Sequence, residues 1–571
     1  MELSVVRICE VEGEIAVHML AAILIFIVFL FISRASLKKM VFRRKGSISP
    51  EDQFVLFGLD GGTWDIIEPL IAKGELPSME KLIRSGSYGD LMAECPYSPP
   101  SWATIATGVN ADKHGFSHFT VHLAGRPERV VLNYGMVNTP NVWGLIESEG
   151  RRVGVFKWVS VPQYPGNLVK KKERYIVLST MGIGFVINKI RLKLRKYFRS
   201  PYNPEDCFLR QSTLPDLEIS ILEYLLKRKD PHFLTYRFAS SDSCSHWFWK
   251  HEFPEGYEVD RGDLRRYGRA VTAAYRRADK FIGKLLKEKV NVMVVSDHGF
   301  RGYSRDETHP LSLLFNINYG KLLNRMGFLE FKEDGKSIDW ERTKVYWCGD
   351  PRVFAEFAVN LKGREPNGAV PPEDYENVKE DLKRALESIR FKDTGERLFS
   401  KLTLHNGTPY NKYVISDFLG EEAQFWNNNA FDLLIEDLYK CRFQDDSVMD
   451  RAILIGSNGF KLGEFLKPNY WSANHCRRGV FMAAGKNIRP GRIGPISTLD
   501  IAPNILYWMD LPVLPSMEGK VQAQIFNDEF VKRHPVKFFS DQAYASKSED
   551  ISLTKRQEAR IKEDLENLGY L

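Results

Sequence analysis

The chain has 571 residues, of which 43% are apolar and 27% charged. That composition is globular and argues against wholesale disorder and fibrous classes. Lys and Arg number 80 against 73 Asp and Glu, a net charge of +7, too small an excess to imply a nucleic-acid partner by itself. The 7 Cys are scattered and no CxxC occurs, which argues against a disulfide framework or a zinc knuckle and fits thiols in a reducing compartment.

Residues 1–14 form an acidic N-terminal segment (Glu2, Glu10, Glu12, Glu14). Ile15 to Ile32 is then apolar except for His18, and as a helix it would reach about 27 Å, near the hydrocarbon thickness. The acidic start and the absence of a small-residue cleavage site predict an uncleaved transmembrane anchor over 15–33 rather than a secretory signal. Only Arg7 precedes the run, whereas Arg34, Lys38, Lys39, Arg43, Arg44 and Lys45 follow it in the linker 34–51. The positive-inside rule then places the main domain in the cytoplasm.

From residue 52 onward, apolar runs of strand length stop at polar residues. Phe54–Leu59 stops at Asp60, Phe233–Phe238 runs into Ser240-Ser241-Asp242, and Val290–Val295 into Ser296-Asp297-His298. Arg152–Val159 is a further strand, after a helix that begins near Thr139-Pro140-Asn141. Continuous apolar strands alternating with helices predict an α/β domain over 52–530: a mostly parallel sheet with helices on both faces. Ligands in such sheets sit beyond the carboxyl ends of the strands, where Asp60, Asp242 and Asp297 collect.

Lys170 to Arg199 is rich in Lys and Arg around the apolar stretch Met181–Ile187. It reads either as an insertion that lies on anionic lipid or as a solvated segment with one face packed. About 302–470 is long enough for an inserted lid subdomain. Residues 531–571 form a C-terminal helical tail, with Ile561, Leu565 and Leu568 on one face for docking.

Four segments carry chemistry. In Ser98-Pro99-Pro100-Ser101 the prolines suit the first turn of a helix, which puts Ser98 at the cap, at the positive end of the dipole. Asp242 and His246, four apart, share a helical face. Asp297 and His298 stand together at a strand end, and His475 precedes the strand-like run Gly479–Ala484. Carboxylate with imidazole and no thiolate suits zinc, manganese or similar divalent ions. His114, by its loop position, reads as a structural hydrogen-bonding residue, His309 as near the ligand motifs in sequence only, and Cys244 as packing.

The ordered set resembles the alkaline phosphatase superfamily, in its type I phosphodiesterase/nucleotide pyrophosphatase branch. The resemblance rests on Leu59-Asp-Gly-Gly62, the segment from Ser98 through Thr107-Gly108 to His114-Gly115, Asp242-x-x-x-His246, Ser296-Asp-His-Gly299, and His475 with Gly479-Val-Phe-Met482. Asn360-Leu-Lys-Gly-Arg-Glu-Pro366 and Leu499-Asp-Ile-Ala-Pro503 look like the microbial members. The resemblance implies two divalent metal ions, zinc with manganese as the alternative. One would be held by Asp60, Asp297 and His298, and the other by Asp242, His246 and His475. It implies Ser98 as the nucleophile, passing through a phosphoseryl intermediate. Relatives often carry Thr at that position, and Asn three residues later to donate to a phosphate oxygen. Here Ser101 stands in for the Asn as a substrate-binding residue, which leaves diester preference open. The Arg of sulfatase nucleophile motifs is absent. The expected activity is a membrane-anchored phosphodiesterase acting on a phosphoester, nucleotide or lipid-linked, with phosphomonoesterase, phosphotransferase and a non-catalytic metal-binding relative as alternatives.

Overall fold

The computed structural model describes residues 48–540 apart from 122–129, 132–138, 159–174, 179–203, 305, 350–354, 408–410, 419–420, 428–430, 443, 445 and 469–470. The expected anchor at 15–33, its basic flank, nearly all of the basic segment 170–199 and the expected helical tail beyond 540 lie outside the described residues. Among the described residues no helix is long and apolar enough to cross a membrane.

The centre is a nine-stranded sheet. Its strands include β1 (Phe54–Leu59), β2 (Ser87–Met92), β3 (Val153–Phe156), β4 (Tyr175–Leu178), β5 (Phe233–Phe238) and β6 (Asn291–Val295). Outside it, β7 (Gly299–Gly302) pairs antiparallel with β8 (Ala473–Cys476). The sheet is completed by β9 (Arg478–Ala484), β10 (Gly491–Arg492) and β11 (Ile496–Ser497). Across the sheet the order is β10-β2-β9-β6-β1-β5-β3-β4, with β11 also on β2. β1 is parallel to both β5 and β6. β9 is the exception, antiparallel to β2 and β6, so the mostly parallel sheet is a mixed one.

β1 is buried at every position, and alternate side chains serve opposite faces. Phe54 and Leu56 join a core with helices α3 (Ser98–Thr107), α4 (Val142–Ser148) and α8 (Ile501–Trp508). Val55, Phe57 and Leu59 join another with α1 (Trp64–Ala72), α2 (Pro77–Ser85), α5 (Pro204–Lys229), α6 (Ser240–Glu252) and α7 (Ala270–Glu288). Each such side chain contributes roughly 1.5–3 kcal/mol by leaving water.

A third core is built almost entirely from residues 311–466. It holds a four-stranded antiparallel sheet of 345–347, 355–359, 433–438 and 399–404. Arg364 pairs twice with Asp432 there, at 3.1 and 2.8 Å. Tyr97, the neighbour of Ser98, is buried in this third core.

Candidate active site

β1 ends at Asp60, β6 leads directly into Asp297 and His298, and α6 begins two residues before Asp242. The parallel register of β5, β1 and β6 brings those ends to one edge. β8 then pairs on β7 with Phe300 opposite His475. All six expected ligands are buried. They fall into two groups, Asp60/Asp297/His298 and Asp242/His246/His475, with ligand atoms within 4.8 Å of one another in each.

The hydrogen bonds fix the imidazole tautomers. His246 Nδ1 lies 3.1 Å from the carbonyl of Ala473, His475 Nδ1 3.0 Å from that of Pro96, and His298 Nδ1 3.0 Å from that of Gly299. A carbonyl only accepts, so each Nδ1 donates, and each Nε2 faces the interior of the site. His246 Nε2 and His475 Nε2 stand 2.9 Å apart, and at most one proton fits between them. His475 stacks on His298 at 3.6 Å between centroids, which joins the two groups.

The carboxylates face the same interior. Asp60 Oδ1, Asp242 Oδ1 and Asp297 Oδ2 are buried without a hydrogen-bond partner. Asp242 Oδ1 is 3.2 Å from His475 Nε2, and Asp297 Oδ2 is 3.3 Å from His298 Nε2. Carboxylate oxygens buried together without partners cost several kcal/mol unless a cation stands among them. The donor set therefore fits two divalent ions with nitrogen and oxygen ligands.

The same crowding shifts the acids. Burial, reinforced by Asp297, lifts Asp60 well above the ordinary carboxylate range despite Arg237. Asp297 is pushed up to about 7 by burial and by the charge of Asp242. Burial works to raise Asp242 too, but His246 and His475 outweigh it and hold the carboxyl below its ordinary range. Burial and the adjacent His475 keep His298 well below the usual imidazole value.

Ser98 is buried, with Oγ 3.1 Å from His298 Nε2. It is the first helical residue rather than the cap, which is Tyr97. The prolines at 99 and 100 have no N–H, and Ser101 N is already bonded to the carbonyl of Tyr97. Of the first four helix amides only that of Ser98 remains, so this helix end supplies less to an anion than its dipole suggests. Ser101, expected to donate to substrate, donates its hydroxyl proton to the carbonyl of Asp297. It ties the Ser98 helix to the ligand-bearing loop.

One residue at the edge escaped the motif reading, and another, Gly61, was read in its motif without a role. Arg237 Nη1 donates to Asp60 Oδ2 at 2.7 Å; a charge inside an otherwise uncharged strand was its signal. Gly61 N donates to Asp297 Oδ1 at 3.2 Å. Its φ is +61° and a Cβ would meet Phe300 at 2.8 Å, so only glycine suits it. His114 has the structural role expected: its Nε2 lies 3.1 Å from Thr104 Oγ1, and Nδ1 accepts from Phe116 N at 3.0 Å. Cys244 is core, and His309 Nε2 donates to the carbonyl of Ser304 at 3.0 Å.

No curated protein matches the sequence. Among solved structures, human ectonucleotide pyrophosphatase/phosphodiesterase 5 is 14% identical over 83% of this chain and 100% of its own, with a TM-score of 0.45. The murine protein is 13% identical over 82% and 97%, with a TM-score of 0.44. The profile described as type I phosphodiesterase/nucleotide pyrophosphatase matches residues 54–426, a span that takes in Ser98 and five of the six clustered ligands. The chain belongs to the type I phosphodiesterase/nucleotide pyrophosphatase family, within the alkaline phosphatase superfamily.

Proposed function

We propose that this protein is a membrane-anchored, two-metal phosphodiesterase that works through a phosphoseryl intermediate on Ser98. The observation that carries the reading is the buried Ser98 hydroxyl, 3.1 Å from His298 Nε2 and beside two groups of ligands. Asp60, Asp297 and His298 would hold one ion, and Asp242, His246 and His475 the other, with zinc preferred and manganese the alternative. When bound, the ions supply positive charge to phosphoryl oxygens and lower the pKa of hydroxyl and water.

Ser98 Oγ attacks phosphorus, and the bond from phosphorus to the leaving oxygen breaks. Water then cleaves the Oγ–P bond and restores the hydroxyl. Helix α3 and the Ser101 bond to Asp297 hold Ser98 in register with the ligand loop. The apolar run at 15–32 and the Lys and Arg that follow it support an anchor with the domain on the cytoplasmic side. The basic segment 170–199 supports a membrane-borne substrate.

A second reading, phosphomonoesterase or phosphotransferase, is favoured by the Ser101 proton being committed to the main chain. Bis-aryl and mono-aryl phosphates given to the zinc-loaded, full-length protein separate the two. Faster turnover of the bis-aryl ester, lost in Ser98→Ala with metal content intact, supports the diesterase. Turnover restricted to the mono-aryl ester, or dependent on an added alcohol, overturns it.

A further inference from the structure

Arg237 is the only charged residue in β5, a strand buried at every position. It is 5% exposed, and it spends Nη1 on Asp60 Oδ2 at 2.7 Å. Asp297 is restrained in the same way, since its Oδ1 accepts from Gly61 N. Each carboxylate on the Ser98 side thus has one oxygen held by protein. The oxygens left over, Asp60 Oδ1 and Asp297 Oδ2, are the ones without hydrogen-bond partners. They face His298 Nε2 at 3.8 and 3.3 Å, and Ser98 Oγ approaches the same nitrogen at 3.1 Å.

We propose that Arg237 is a positioning residue that makes Asp60 a one-oxygen ligand and so tunes the Ser98-side site to zinc over manganese. The proposal rests on the two-metal reading above. A guanidinium holds a carboxylate oxygen by a directed, charge-assisted bond. With Oδ2 held, the side chains offer four donors: Asp60 Oδ1, Asp297 Oδ2, His298 Nε2 and Ser98 Oγ. Four donors including imidazole suit zinc, whereas manganese favours oxygen-rich, six-donor sites. Without Arg237, Asp60 is free to offer both oxygens, which adds the donor that manganese favours. The lost positive charge strengthens both divalent ions alike, so the ratio of their affinities isolates donor number from charge.

The test is competition in the full-length protein. Stripped protein is loaded with manganese, zinc is titrated in, and released manganese is followed by electron paramagnetic resonance. In Arg237→Met the zinc midpoint for one of the two ions rises at least tenfold over wild type, and in Arg237→Lys it rises less. Unmoved midpoints in Arg237→Met, in a chain that binds both ions and keeps its circular dichroism, overturn the proposal alone. If Arg237→Met fails to fold, an unmoved midpoint in Arg237→Lys overturns it. A wild-type chain that binds neither ion overturns the two-metal reading and this proposal with it.

Discussion

Ser98 Oγ and His298 Nε2 lie 3.1 Å apart although 200 residues separate them in the chain. The serine enters on the first turn of α3 and the histidine on the loop after β6, and two cores hold those elements. Replacing Ser98 by Ala removes the proposed nucleophile and one oxygen beside the first ion, and leaves the six Asp and His side chains that would hold both ions. Turnover of phosphate esters should fall by roughly a thousandfold or more, with metal content per chain unchanged by mass spectrometry. Loss of metal together with activity would count against the assignment.

On the two-metal reading, stripping the ions should destabilise the fold, because the buried carboxylates are then left facing one another. A ligand at about 100 times its Kd adds about 2.7 kcal/mol. Zinc added back to chelator-treated protein should raise Tm by several degrees. Asp242→Ala, which takes one member from its cluster, should show a smaller rise.

The stripped protein should also respond to pH in a set direction. Asp297 titrates at about 7 in the fold against an ordinary 3.8, so between these values the folded state binds the extra proton. Stability from this group is present below the lower value and is lost as pH rises toward 7. Asp297→Asn cannot ionise and escapes that loss. Melting curves of stripped wild type and Asp297→Asn should diverge as pH climbs from 4 to 8, with the variant the more stable at the upper end.

Gly58 lies two residues before Asp60, and a Cβ there would stand 2.6 Å from the Trp102 ring on α3. Trp102 is fully buried, so helix or ring must shift. Gly58→Ala should cost about 1–3 kcal/mol and displace Ser98 relative to Asp60. A lowered Tm with turnover reduced beyond any loss of folded protein would show both effects.

The N-terminus of α2 has no side-chain bond from its cap residue, Leu76. Asp279, from α7, fills the role by accepting from Ser78 N at 2.9 Å and Met79 N at 2.7 Å. Asp279→Ala should cost about 0.5–2 kcal/mol, read as a lower denaturation midpoint in urea, with metal content unchanged.

The strands at 54–59 and 233–238 were legible to the residue, because an apolar run that stops at a carboxylate has few other readings. The strand at 152–159 was shorter in the structure, Val153–Phe156, and β8, which carries His475, was not anticipated. Four residues with one His among them have no period of their own; β8 exists because β7 offers it an edge.

The sequence alone determined which residue types meet: strand ends that carry Asp60, Asp242 and Asp297, a serine before paired prolines, and three histidines. Their chemistry and local spacing are chain properties, so they could be read without coordinates. Tertiary structure decided the tautomer of each imidazole, because the carbonyls of Ala473, Pro96 and Gly299 come from other turns of the chain or from its local bend. It also decided which carboxylate oxygen stays available, through Arg237 and Gly61, and it turned the Ser101 proton toward the main chain. Hydrogen bonds between distant segments depend on register and packing, and no local pattern in the sequence encodes those partners.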